Sequence, residues 1–171
     1  LGQFILRLTI ALMHTIAAKA LAFLEALTSE YRAYQGRIVE NAKALAEALK
    51  KIGYTLVTGG TDTHLMLVSF VGQEGMTGKK AENALDKAGI VVNKNTVPFD
   101  PEKPFVTSGI RLGTPAVTTR GMGPKEMEII AGFIDRAIRN RKSDDALAAI
   151  AKEVAEFSNR FPLYAERLTG A

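Results

Sequence analysis

The 171-residue sequence contains no cysteine and no tryptophan, and its only histidines are His14 and His64. The missing thiols exclude disulfides, thiolate metal sites, a catalytic cysteine and iron–sulfur clusters. Two histidines are too few for a histidine-rich metal site. The net charge of +4 is too small to indicate nucleic-acid binding by itself. The apolar content of 47% and the charged content of 23% are typical of one folded globular domain.

Familiar catalytic and nucleotide-binding motifs are also absent from the sequence. It contains no P-loop, no GxGxxG, no HExxH and no GxSxG pattern. The acidic residues fall mostly on helix faces that we expect to be solvated, so no carboxylate pair is predicted for acid–base chemistry. Composition and short motifs therefore indicate no catalytic side chain.

A long apolar run, residues 4–27, opens the chain and is interrupted by Arg7, His14, Lys19 and Glu25. A transmembrane helix needs roughly 20 apolar residues with few charges, which this run does not offer. A signal peptide needs a basic start and a shorter apolar segment. The high alanine and leucine content favours a buried helix instead. We expect either this domain or a partner surface to cover it.

Hydrophobic periodicity predicts four more helices and four short strands. The predicted helices cover residues 31–49, 77–88, 124–138 and 143–161, and the predicted strands cover 54–57, 65–71, 90–92 and 109–112. Residues 93–104, with three prolines, and residues 114–123 are predicted loops. This order predicts an α+β fold, in which helices pack on a small, mainly antiparallel sheet of three to four strands after a long N-terminal helix.

Arg111 is the first candidate for ligand binding, because it lies in a predicted apolar strand between Gly109 and Gly113. An arginine buried there would need an anionic partner. Its planar guanidinium suits a carboxylate held by two parallel hydrogen bonds. The alternatives are an arginine that points to solvent and one paired with an acidic residue of the same chain.

Other polar residues are weaker candidates. Arg120 is a candidate anion contact, although a solvated loop arginine is the favoured interpretation. The segment 93–95, Asn-Lys-Asn, offers hydrogen-bonding groups for a polar heterocycle, or simple turn chemistry. We interpret His14 and His64 as structural. We interpret the basic residues between 136 and 142 as cations that complement the dipole at a helix end. Nucleic-acid binding is the less favoured interpretation, because no aromatic residues are interleaved with them.

Six segments resemble serine hydroxymethyltransferase, and together they run from residue 14 to residue 164. They read HTIAAKALAF at 14–23, YQGRIVENAKALAEAL at 34–49, GGTDTHLMLV at 59–68, GIVVNKNTVPFDP at 89–101, PFVTSGIRLGTPAVTTRG at 104–121 and RFPLY at 160–164. The resemblance covers the C-terminal part of that enzyme, which is one long helix and the small domain of a fold-type I pyridoxal-phosphate (PLP) enzyme.

The resemblance implies a parent reaction that interconverts serine and glycine and passes a one-carbon unit to tetrahydrofolate, with PLP held as a Schiff base to a lysine. It implies that Arg111, in the SGIR motif, binds the carboxylate of the amino-acid substrate. It implies that Asn95, the second asparagine of the NKN motif, contacts the folate. It also implies dimers or tetramers with active sites at subunit interfaces.

The sequence departs from the family's pattern where the cofactor is bound. The Thr-Thr-His-Lys-Thr segment around the catalytic lysine belongs to the large domain and does not occur here. The aspartate that pairs with the pyridine nitrogen is absent with it. Shortly before His14 the family has Gly-Gly-Pro-Leu, whose glycines help to hold a cofactor phosphate, but residues 9–12 here are Thr-Ile-Ala-Leu. Residues 4–10 resemble no part of the family.

We therefore expect a detached, engineered C-terminal domain of serine hydroxymethyltransferase, with an apolar helix in residues 1–30, atypical before residue 12, and the C-terminal domain in residues 31–171. We expect no cofactor on the isolated chain, and no parent activity from it, because 171 residues are too few for the two-domain subunit. We expect a cytoplasmic location, no nucleic-acid partner and no membrane partner.

Two alternatives remain open at this point. The chain could be a fragment that supports hydroxymethyltransferase activity when it is combined with the large PLP-binding domain. It could also be a scaffold that self-associates through the apolar N-terminal helix.

Overall fold

A computed structural model describes the backbone of residues 2–163 and the side chains from residue 12 onward. Within this part of the chain, six helices and one four-stranded antiparallel sheet confirm the predicted α+β fold. The chain divides into two compact units, Leu1–Gly36 and Arg37–Ala171. Tyr164 of the RFPLY segment and the predicted domain's last residues, 165–171, lie outside the described residues, as do the side chains of residues 9–11.

Helix α1 spans Gly2–Ala26, close to the predicted apolar run. Its described apolar side chains are largely exposed, for example Leu21 at 67% and Phe23 at 68%. The cover that we expect for this helix, either this domain or a partner surface, stays a prediction. No helix among the described residues is long and apolar enough to cross a membrane.

Helix α2, Ser29–Ile52, carries the apolar stripe that its sequence predicts. The core-facing residues of its second half are Ile38, Ala42, Leu45, Ala46 and Leu49. Buried Asn41 donates through Nδ2 to Thr118 Oγ1 and to the Met122 carbonyl, both at 2.9 Å, so this polar group has partners in the core. The helix ends before Gly53, whose φ of +106° lies in the left-handed region that favours glycine.

The four strands are β1 (Thr55–Leu56), β2 (Leu65–Ser69), β3 (Asn93–Asn95) and β4 (Gly109–Gly113). They lie in the order β1-β2-β4-β3, and every neighbouring pair is antiparallel. The antiparallel pairing predicted for the first two strands is confirmed. The central strands β2 and β4 are joined by five residue pairs, from Leu65 opposite Gly113 to Ser69 opposite Gly109.

The two faces of the sheet have different surroundings, because successive side chains along a strand alternate between them. One face is buried against the helices and presents Met66, Val68, Ile110 and Leu112. The residues between these belong to the other face. There Arg111 lies opposite Leu67 on one side and opposite Asn93 on the other.

The remaining helices are α3 (Gly78–Lys87), α4 (Pro115–Thr119), α5 (Pro124–Arg139) and α6 (Asp144–Asn159). Both predicted hydroxyl caps are confirmed. Thr77 Oγ1 accepts from the Lys80 N–H at 3.2 Å, and Ser143 Oγ accepts from the Ala146 N–H at 3.3 Å. Pro124 opens α5, also as predicted.

Two local predictions are wrong. The sequence predicts the third strand at 90–92, but the paired residues are Asn93–Asn95, inside the predicted loop. The ladder to Gly109–Arg111, and not β-propensity, decides where this strand forms. The predicted loop 114–123 contains helix α4. Pro115 occupies its first turn, and Thr118 Oγ1 donates to the Thr114 carbonyl at 2.7 Å.

Candidate functional site

The guanidinium of Arg111 lies exposed on the open face of the sheet. Its Nη2 donates to Asn93 Oδ1 at 3.3 Å, across the β3–β4 ladder. In the described part of the chain no carboxylate lies within 4.0 Å of it. Among the described residues Arg111 is therefore exposed and not paired with an acidic residue of the chain, and the ligand-binding and solvent-facing interpretations both stay predictions. The alternation of side chains explains the exposure, since Ile110 and Leu112 occupy the core face.

A cavity of about 350 Å³ adjoins Arg111. Its lining consists of His64, Leu65, Val91, Val92, Asn93, Arg111, Leu112 and Gly113. Two of these residues, Arg111 and Asn93, are ligand-binding candidates from the sequence, and the structure places them side by side. The sequence predicts a structural role for His64, and its exposed side chain borders this cavity. Its position at the end of the β2–β4 pairing gives it this place, and no sequence pattern signalled it.

The two asparagines and the lysine of the NKN segment have separate surroundings. Alternation along β3 puts Asn93 and Asn95 on the side of Arg111 and turns Lys94 the other way. Lys94 Nζ forms an ion pair with Glu82 Oε2 at 3.1 Å, and its backbone N–H donates to Glu82 Oε1 at 2.9 Å. The backbone hydrogen bond from Lys94 lowers the pKa of Glu82, and the side-chain bond and ion pair add to this. Lys94 thus stabilises the packing of α3 against β3.

Asp100 organises the loop that joins Asn95 to the strand of Arg111. Its carboxylate accepts four hydrogen bonds, from the N–H groups of Val97, Glu102 and Ser108 at 2.9–3.1 Å and from Ser108 Oγ at 2.6 Å. Desolvation by itself raises the pKa of Asp100, but these hydrogen bonds outweigh it and lower the pKa to about 2. The Asp100 carboxylate therefore links the two ends of the loop 97–108 by hydrogen bonds.

This arrangement predicts that Asp100→Asn destabilises the chain by about 2 kcal/mol at pH 7. The folded-state pKa of about 2 lies below the ordinary value of 3.8, so the stabilisation is complete above pH 3.8 and is lost as the pH falls toward 2. An amide would also place a donor against backbone donors. Thermal unfolding between pH 2 and pH 7 measures this difference.

The matched control for Asp100→Asn is Asp62→Asn. The Asp62 side chain is 99% exposed, and its nearest cation, Lys43, is 3.9 Å away. We expect this control to change stability by less than about 0.5 kcal/mol. Equal losses in the two variants, or a pH profile in which Asp100→Asn runs parallel to the unmodified chain, would contradict the role given to Asp100.

Arg120 is placed differently from the solvated loop arginine that the sequence favoured. It follows helix α4 and is half-buried, and its Nη2 donates to the Ser158 carbonyl at 2.9 Å, which ties α4 to α6. Its Nε is buried without a hydrogen-bond partner among the described residues. Arg120 is not part of the cavity beside Arg111. The structure therefore does not bring the two arginines together.

Comparison with known proteins agrees with this arrangement of motifs. The family model described as serine hydroxymethyltransferase matches residues 9–134. The chain belongs to the serine hydroxymethyltransferase family. A serine hydroxymethyltransferase from Myxococcus xanthus (strain DK1622) is 59% identical over 157 residues, which cover 92% of this chain and 37% of that protein. The chain thus corresponds to part of a longer hydroxymethyltransferase.

The side chains around Arg111 do not form a site for PLP, the cofactor that the family uses. Among the residues that the structure describes, the lining of the cavity contains no lysine to hold the cofactor covalently and no carboxylate to pair with a pyridine nitrogen. Nor do the residues described by the structure include a group of three or more His, Asp or Glu side chains placed to hold a metal ion. On the open face of the sheet, the described polar groups beside this cavity include the guanidinium of Arg111 and the amide of Asn93.

Proposed function

We propose that this chain supplies the substrate-recognition part of a hydroxymethyltransferase active site. In this proposal Arg111 binds the carboxylate of the amino-acid substrate and Asn95 contacts the folate. The groups that hold PLP come from a large domain, and the isolated chain does not catalyse the reaction.

The observation that carries the proposal is the state of Arg111. Its guanidinium is exposed beside a cavity, holds one long hydrogen bond to Asn93, and has no carboxylate within 4.0 Å in the part of the chain that is described. A guanidinium offers five N–H donors in a rigid fork. One neutral contact leaves this fork free to take a carboxylate by two parallel hydrogen bonds.

The first experiment adds PLP to the isolated chain and follows cofactor absorbance before and after borohydride reduction. We expect no stoichiometric absorbance band and no single labelled lysine by peptide mass spectrometry. The reason is that a covalent PLP site needs a positioned lysine together with groups that tune the ring, and the cavity beside Arg111 has neither. One lysine labelled in full would overturn the claim that the chain is inactive alone.

The second experiment mixes the chain with a separately produced large domain of a hydroxymethyltransferase and assays serine cleavage with tetrahydrofolate. If the mixture cleaves serine and loses this activity when Arg111 is substituted, the result supports the substrate-recognition role. If the mixture cleaves serine and keeps this activity when Arg111 is substituted, the chain helps the enzyme to fold or assemble and does not recognise the substrate. The large domain alone is the control.

Self-association is a second candidate function, and the exposed apolar side chains of α1 favour it. Leu21 is 67% exposed, Phe23 68% and Leu24 64%, and such a surface is costly to leave in water. We expect light scattering after size exclusion to report a mass above 18.5 kDa that increases with concentration. A double variant, Leu21→Gln with Phe23→Gln, should lower that mass toward the monomer. A monomer at every concentration would rule this candidate out.

A further inference from the structure

The basic run near the end of α5 divides into two pairs with different surroundings. Arg136 forms a bidentate ion pair with Glu153, with Nη–Oε distances of 2.7 and 2.6 Å. Arg139 binds Asp135 through Nε at 2.8 and 2.7 Å. These two arginines are therefore neutralised within the fold. Arg141 and Lys142 follow them, and neither has a carboxylate within 4.0 Å among the described residues.

Arg141 and Lys142 line one side of a cleft of about 440 Å³, and helix α3 forms the other side. The α3 residues in the same lining include Lys80 and Lys87, so four cations line this cleft. The amide of Asn83 adds a neutral hydrogen-bonding group. None of these residues lines the cavity beside Arg111. The cleft is therefore separate from the site of the proposed function.

The charges of this cleft are only partly compensated. Lys87 Nζ contacts Asp144 Oδ1 at 2.7 Å, and Asp86 is the one carboxylate among the described residues of the lining. Lys80 Nζ donates to the Gly75 carbonyl at 2.7 Å, and Arg141 Nη1 donates to the Ile138 carbonyl at 3.3 Å. Neutral carbonyls do not cancel a cation's charge, and each group keeps further N–H donors. Two positive charges in excess in a concave site raise the local potential for anions.

We propose that this cleft binds a small polyanion made of linked phosphate groups. Lysine ammonium groups bind phosphate as point charges, and an arginine fork binds two phosphate oxygens at once. A linked phosphate chain reaches several cations of the cleft together, which a single carboxylate does not. The described lining of the cleft includes no aromatic residue on which a nucleic-acid base could stack.

The experiment titrates the full chain with tripolyphosphate by calorimetry at fixed ionic strength. We expect saturable binding at one site per chain. The double variant Lys80→Gln with Lys142→Gln should weaken binding at least tenfold, because it removes half of the cations. The matched control is Lys51→Gln with Lys152→Gln, which makes the same change in net charge at exposed positions outside the cleft. The control should weaken binding less than threefold.

Further probes distinguish the chemistry of the ligand. ATP should bind about as tightly as tripolyphosphate, and AMP at least tenfold more weakly, if the phosphate chain is what the cleft recognises. Equal weakening by the two double variants, equal binding of AMP and ATP, or the absence of saturable binding would each overturn the proposal. Tenfold tighter binding of a single-stranded oligonucleotide than of tripolyphosphate would overturn it in favour of a nucleic-acid surface. Exposed Lys→Gln changes leave stability nearly unchanged, so thermal unfolding of each variant verifies the fold.

Discussion

Gly78→Ala is expected to lower the free energy of unfolding by about 3 kcal/mol and the melting temperature by about 6–12 °C. Gly78 is the first residue of α3, and its N–H donates to the Thr107 carbonyl at 2.8 Å. A Cβ at this position would overlap the Gly109 carbonyl oxygen and Thr107 Oγ1. The first of these is backbone of β4, which cannot rotate away, so either α3 or the strand of Arg111 must shift.

The contact is tight because Thr107 is itself constrained. Its φ of +57° is unusual for a β-branched residue, and its N–H donates to the Lys103 carbonyl at 3.0 Å. The N–H groups of Gly78 and Lys79 bind the carbonyls of Thr107 and Val106, so the start of α3 holds the end of the loop that Asp100 organises. The added methyl group therefore meets a segment with little freedom to move.

Gly132→Ala is the matched control for Gly78→Ala. Gly132 lies inside α5, and a Cβ added there has no heavy atom within 4 Å. Alanine in a helix interior is more stable than glycine by about 0.5–1 kcal/mol, so this variant should melt at a higher temperature. Chemical denaturation of both variants measures the two effects. A Gly78→Ala chain as stable as the unmodified one would contradict the close approach described above.

Local chemistry made the helices predictable from the sequence. Thr77 and Ser143 cap by bonding N–H groups three residues away, and Gly53 ends α2 by its own backbone conformation, so each signal lies within a few residues. The position of β3 depends instead on pairing with β4, fourteen or more residues later, and propensity favoured its β-branched neighbours at 90–92. The exposure of α1 is a property of its surroundings that no periodicity encodes.

The candidate site was predictable in part and for a similar reason. The strand periodicity around Arg111 indicates that it alternates with Ile110 and Leu112, but not which face is open. The role of Asp100 is not predictable from the sequence, because its four hydrogen bonds come from residues up to eight positions away in a loop with no repeating pattern. The exposure of His64 is not predictable in this way, because an exposed histidine at a strand end and a buried one look alike in sequence.

Arg111→Lys is expected to reduce kcat/KM for serine at least a hundredfold in the chain recombined with a large domain, a loss of about 3 kcal/mol of transition-state stabilisation. Lysine keeps the positive charge but offers a point charge on a flexible stem, which cannot make two parallel hydrogen bonds to a carboxylate. Because the substrate carboxylate is held before and during the reaction, KM for serine should rise, while the affinity for tetrahydrofolate should change less than threefold. Steady-state kinetics with each substrate varied in turn separates these effects.

Arg37→Lys serves as the control, since Arg37 is exposed on α2 and lies outside the cavity beside Arg111. It should change kcat/KM less than twofold. Substitution of an exposed arginine changes the free energy of unfolding very little, so Arg111→Lys should leave the melting temperature of the isolated chain within about 2 °C of the original. That combination, a large kinetic loss without a loss of stability, is what distinguishes an arginine that holds the substrate from one that holds the fold. A variant that keeps its kcat/KM would remove Arg111 from the recognition site, and the resemblance in the SGIR motif would then carry no functional weight for this chain.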